Sequence, residues 1–111
     1  MPNYIIRPEI NNHKDGDYER LHEEMYKRGF YKVIQYTSDN LFRDLPTGLY
    51  RHTSELTLQQ VYNECVASLN AIGKYNISFR RDFELFVAPH TGSMNDLKLT
   101  TDKTKLPPNS K

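Results

Sequence analysis

The sequence predicts an α+β domain, and three observations carry that prediction. Two amphipathic helices, each with an apolar stripe at helical spacing, lie within residues 1–90. Short runs rich in β-branched and aromatic residues bracket both of them. The resulting order is strand, helix, strand, strand, helix, strand. Two helices in that order pack on one face of a four-stranded antiparallel sheet, and right-handed crossovers then give the ferredoxin-like βαββαβ sandwich with strand order 4-1-3-2. The other sheet face is left uncovered. That face, or a homodimer interface built on it, is where function is expected, although the architecture itself serves many functions.

Tyr4-Ile5-Ile6-Arg7 reads as the first strand, punctuated by Pro8, with Glu9 and Ile10 continuing past a bulge. Asn11 to Gly16 is a polar turn. Asp17 suits the N-cap of a helix that runs to about Arg28. Tyr18, Leu21, His22 and Met25 share its inner stripe, and Gly29 fits the left-handed position that ends it. Phe30 to Thr37 is β-rich, Ser38 to Thr47 reads as a loop, and Gly48 to Thr53 is a short returning arm. Thr57 with Gln60 forms a capping-box pattern. Leu58, Val61, Cys65, Leu69 and Ile72 then form a second buried stripe that Gly73 closes. Tyr75 to Val87 alternates as the last strand.

The composition limits what this frame can do. Apolar residues make up 37% of 111, and the mean hydropathy is −0.77, so the core is small. No apolar run approaches the ~18 residues that span a bilayer, so no membrane partner is expected. The first residues lack the layout of a secretory signal, and one cysteine excludes an intramolecular disulfide. The cytoplasm is the expected compartment. Residues 91–111 hold four lysines against two aspartates, a net of +2, and few apolar side chains, which predicts a disordered polar tail. The remaining 11 basic and 12 acidic residues leave residues 1–90 at −1. Avid nonspecific nucleic-acid binding is therefore excluded, and any polyanion contact must use a local patch.

His13, His22, His52 and His90 are scattered, and the one Glu-x-x-His pair, Glu19 and His22, has no second pair to complete a metal site. No metal or cofactor is predicted. Cys65, on an apolar stripe, reads as a core thiol. Glu9 sits at the end of the first strand, either as a solvated carboxylate or as a group with a chemical role. Arg7, Arg51 and one of Arg80 or Arg81 belong to strands that are neighbours in this topology. With Tyr50 and Phe86 between them they can hold phosphates while rings stack on bases, or they can pair with Asp82 and Glu84 as ordinary surface arginines. Metal-free RNA cleavage needs a base near a ribose hydroxyl and a cation for the phosphorane charge. His22 or His52 with an arginine would supply both. Tyr26, Tyr31, Tyr36 and Tyr50 are further stacking candidates among eight tyrosines.

Tyr4-Ile5-Ile6, Glu9, Arg20 and Met25-Tyr26 followed by Phe30 resemble the N-terminal half of the GhoS-type antitoxins, small bacterial proteins of the type V toxin–antitoxin class. The likeness runs without a gap from about Tyr4 to Phe30 and continues loosely through the second helix. That family is similar in fold to the small CRISPR-associated nucleases of spacer acquisition. The resemblance implies a sequence-selective endoribonuclease acting on the single-stranded messenger of a membrane-damaging toxin. By position it implies an RNA site on the first helix, with Arg20 and Arg28 on phosphates and His22 or Glu9 assisting proton transfer. The chain departs at His22, where the family has arginine, and at Glu9, where it has aspartate. The expected catalytic set is thus Glu9, Arg20 and His22, and the expected RNA-binding set is Arg7, Arg20, Arg28, Arg51 and Arg81. Two other classes stay open: a noncatalytic module that binds a protein or a second copy of itself, and a magnesium-dependent nuclease dimer using Glu9.

Overall fold

The computed structural model describes residues 1–73, 83–92 and 95–108. Strand β1 (Asn3–Ile10) is central and antiparallel to both neighbours, β4 (Tyr50–Thr53) and β5 (Phe83–Pro89). Strands β2 (Val33–Gln35) and β3 (Phe42–Asp44) form a separate two-stranded antiparallel sheet. Helices α1 (Asp17–Lys27) and α2 (Leu58–Ala71) complete the α+β fold, and a 3₁₀ turn spans Lys103–Lys105.

The alternation of β1 decides where the core lies. Tyr4, Ile6 and Ile10 face inward, against Leu21 and Met25 of α1 and Val61, Cys65 and Leu69 of α2. Tyr50 and Phe83 join from the flanking strands, and Phe30 from the end of the first βα passage. Tyr4 keeps its hydroxyl satisfied by donating to the Leu56 carbonyl at 2.7 Å. Leu58, expected in the buried stripe, is 43% exposed because it stands at the first helical position, outside the packed turns.

Pro8 does not interrupt β1; it pairs with Leu85 in an unbroken register from Tyr4↔Pro89 to Ile10↔Phe83. The Ile10 N–H donates to the Tyr18 hydroxyl at 3.0 Å, away from β5, so the even-numbered amides of β1 point to the β4 side. Pairing with β4 ends at Ile6↔Tyr50. The amide that proline lacks would therefore meet no strand, and no ladder bond is lost.

Among the described residues the expected single four-stranded sheet is not formed. The chain near Tyr31 touches β4 only through a pair of bonds, Tyr31 N–H to Arg51 O at 2.9 Å and Arg51 N–H to Tyr31 O at 2.8 Å. It then leaves to pair with β3, a strand inside the stretch that sequence reads as a loop. Asn40, at φ 60°, lets the chain reverse, and the Tyr36 N–H closes the hairpin on Leu41 O. The helix start also differs by one residue. Gly16, at φ +87°, occupies the cap, and Asp17 follows as the first helical residue, its carboxylate accepting from the Lys14 N–H at 2.8 Å.

The sheet face opposite the helices is not wholly uncovered. Ile34, Leu45 and Leu97 gather over Ile5 and Leu49, so that half carries a small second apolar layer. Residues 95–108, expected as part of a disordered tail, supply part of it. Their hold is on the backbone: Asp44 N–H donates to Lys98 O at 3.0 Å and Thr100 N–H to Phe42 O at 3.1 Å. Composition measures apolar burial and misses strand pairing of this kind. No helix among the described residues is long and apolar enough to cross a membrane.

Candidate nucleic-acid interface

Register places Arg7 directly opposite Phe86 on the face of the sheet away from the helices. Phe86 is 64% exposed, the most open aromatic ring among the large exposed apolar residues. The next pair on the same face is Glu9↔Glu84, two exposed carboxylates across from each other. Ile5 pairs with both Ala88 and Arg51, so Arg7 and Arg51 share this face, as the strand neighbours predict. Tyr50 does not share it. It lies on the helix side, 3% exposed, and burial pushes its phenol well above the ordinary range, so it offers no open ring face to a base.

Beside Arg7 a cleft of about 260 Å³ opens between β1, Tyr18 of α1 and the loop entering β4, with Glu9, Lys32, Thr47, Gly48 and Tyr50 on its walls. Gly48 is needed for the turn that shapes it: φ is +88°, and the Leu49 N–H returns to Pro46 O at 3.1 Å. The Lys32 ammonium stands 5.7 Å from the Tyr50 ring centroid, a cation–π distance. Partial burial, and then the nearby Lys105, lower the Lys32 pKa from its usual value. Arg7, Lys32 and the Thr47 hydroxyl thus border one concavity with a single carboxylate, Glu9, so its wall carries a net positive charge, which suits an anion.

His22 adjoins the cleft through Tyr50, with ring centroids 6.0 Å apart, and lies 6.2 Å from the Tyr26 ring. Burial lowers its pKa, and Lys32 and Lys105 lower it further. A neutral imidazole near neutral pH can accept a proton. Glu9 lines the cleft and is exposed. Arg20 is elsewhere in character: its guanidinium pairs with the buried Asp17 carboxylate. Arg28 bridges Glu24 at 3.1 Å and Glu64 at 3.5 Å, linking the two helices. No hydrogen bond, ion pair or ring contact joins Glu9, Arg20 and His22 among the described residues. Arg81 lies outside the described residues.

His52 is a structural group. It is buried, stacked on Phe30 at 4.4 Å, with Nδ1 2.9 Å from Gly29 O and Nε2 2.8 Å from the Ser54 hydroxyl. Cys65 is likewise core, and burial pushes its thiol up to about 12. No group of three or more potential metal ligands occurs among the described residues.

Sequence reasoning singled out neither Lys32 nor the Thr47-Gly48 turn. Lys32 is one cation inside a β-rich run, and only the return of the chain onto β4 sets it beside Arg7. Tyr18 does carry a signal. It falls on the inner stripe of α1, yet it is 39% exposed and its hydroxyl reaches the end of β1.

No known protein family matches this chain, and no curated protein is significantly similar to it.

Proposed function

We propose that this protein binds single-stranded RNA across the open half of its sheet. One observation carries the reading: an exposed phenylalanine, Phe86, stands directly opposite an exposed arginine, Arg7, next to the Lys32 cleft. Single strands are held this way, with a base on an aromatic ring and the adjoining phosphate on a cation. The likeness of residues 4–30 to the GhoS-type antitoxins points to the same class of ligand. The order β4-β1-β5 is what a ferredoxin-like sheet has at three of its four positions, and the reading takes β2 as its displaced fourth strand.

The test is fluorescence anisotropy with a labelled mixed-sequence single-stranded RNA at low salt. Phe86→Ala is expected to weaken binding by about tenfold, the usual worth of one stacked base. Arg7→Ala is expected to weaken it and to flatten the salt dependence. Absence of binding by the wild-type chain at low salt overturns the reading. In the antitoxin form of the proposal, His22 or Glu9 takes a proton from a ribose hydroxyl, and a mixed RNA pool is cleaved equally with and without EDTA. An intact pool in both would leave a binding protein and remove the endoribonuclease.

A second reading, a module that docks a protein or a second copy of this chain, is favoured by the net charge of +1 and by the same exposed Phe86. Pull-down with the whole chain separates the two, since enriched RNA and a stoichiometric protein are different products.

A further inference from the structure

Arg51 is fixed on both edges of its strand. It pairs with Ile5 of β1 on one side and exchanges two backbone bonds with Tyr31 on the other. Its side chain is held in an incompletely hydrated place. Nε is buried without a hydrogen-bond partner, and no carboxylate is paired with the guanidinium among the described residues. Burial alone lowers its pKa, with no opposing acidic group. Arg20, Arg28 and Arg43 each have an aspartate or glutamate partner, and Arg7, which has no ion pair among the described residues, is exposed to water. A half-buried charge without a counter-ion is costly, and an incoming anion relieves that cost.

Arg51 lines a wide-mouthed cavity of about 570 Å³, within the ~300–1,000 Å³ usual for small-ligand sites. Its described walls include Asn3, Gln35, Ser38 and His90, and no aspartate or glutamate. The Asn3 side-chain carbonyl already accepts from the Thr53 hydroxyl at 2.5 Å, which leaves its amide N–H₂ group as a donor. The Ser38 hydroxyl and the His90 ring add donors. A cation that cannot lose its proton, several neutral donors and no carboxylate make a lining selective for a multivalent oxyanion.

We infer that the cavity around Arg51 is a binding site for a phosphomonoester, supplied as a free nucleotide or as the 5′ end of an RNA. It uses residues other than Phe86, Lys32 and the Arg7 cleft, so it stands whether or not the RNA-binding reading does. A terminal phosphate carries more charge and more acceptor oxygens than the diester of a chain, which is why the end and not the middle of a strand is recognised.

The experiment uses the whole chain and two probes. AMP is titrated while the ¹⁵N resonance of the Arg51 Nε–H group is followed. Separately, one short oligoribonucleotide is compared with and without its 5′ phosphate. The inference expects a saturable shift of the Arg51 resonance with AMP, or tighter binding of the phosphorylated oligoribonucleotide. In Arg51→Met, which removes the observed resonance, AMP affinity is read by isothermal titration calorimetry, and that affinity or the preference for the phosphorylated oligoribonucleotide should weaken by at least about tenfold, the loss of a charge-assisted hydrogen-bonding group. If Arg51→Met fails to fold, Arg51→Lys keeps the charge, loses the fork, and should weaken the effect in the same direction. AMP alone moving the resonance identifies a nucleotide site, and discrimination between the oligoribonucleotides identifies an RNA end. No Arg51 shift together with equal affinity for both oligoribonucleotides overturns the inference, as does AMP binding that Arg51→Met leaves unchanged. Loss of oligoribonucleotide binding in Phe86→Ala with AMP binding intact would separate the two sites.

Discussion

At His22 a half-buried imidazole meets two lysines, and this sets a pH dependence whose sign follows from the surroundings. Burial acts first, Lys32 and Lys105 add to it, and Glu23 and Asp102 oppose it, with the pKa falling below 6.5. Nδ1 is buried without a partner, and a bare lone pair there costs less than an N–H, so the neutral ring carrying its proton on Nε2 fits best. The unfolded chain takes up the proton first as pH falls. Stability owed to this residue is therefore fully present above the unfolded value of about 6.5 and declines as pH drops through the lower folded value. Urea midpoints measured between about pH 7.5 and pH 5 should show that decline, with His22→Gln flattening it. A folded-state NMR titration of the ring with its midpoint at or above 6.5 would refute the assignment.

Among the elements, α2 has a strong local start and β1–β5 contains a local conflict. The Thr57 hydroxyl accepts from Gln60 N–H at 3.2 Å while the Gln60 side chain accepts from Thr57 N–H at 2.9 Å. Thr57→Ala should cost about 1 kcal/mol in urea unfolding. An unchanged midpoint would mean that packing of Val61, Cys65 and Leu69 alone sets the helix. Glu9↔Glu84 places like charges opposite each other. Glu84→Lys should stabilise by a few tenths of a kcal/mol at low salt, an increment that fades as salt is added. These two cases mark what was legible. A capping box and a 3.6-residue stripe are local, so the helices and their inward faces can be read from Leu21, Met25, Val61, Cys65 and Leu69. Strand partners are not local. Val33 and Ile34 read as β, yet nothing in them says that they pair with Phe42–Asp44 and not along β4. The same limit applies to the site. Arg7 and Arg51 could be assigned to one face from strand order, whereas the approach of Lys32 to Arg7 depends on where a turn at Pro46–Leu49 sends the chain.

Across the whole molecule, residues 95–108 tie together parts that share no sequence neighbourhood. Leu99 bridges Arg43 of β3, the Leu106 carbonyl accepts from the Tyr26 hydroxyl of α1 at 2.5 Å, and Lys105 reaches Asp44 at 3.6 Å. The surface ion pair is worth little by itself. The backbone pairing matters more, because it gives the three-residue strand β3 a second partner, and a two-stranded ribbon alone is marginal in water. Ending the chain after residue 94 should therefore loosen the β2–β3 sheet while leaving the helix-covered core folded. Amide hydrogen exchange reads this directly: Leu45, whose N–H crosses from the end of β3 to the Lys32 carbonyl before β2 at 2.9 Å, should lose protection in the shortened chain, while Ile6, inside the three-stranded sheet, keeps it. Equal protection of Leu45 in both chains would show that β2 and β3 hold each other without help. Because Ile34 and Leu97 lie over Ile5 beside the Arg51 cavity, the shortened chain should also lose the phosphomonoester response while retaining RNA binding through Phe86 and Arg7.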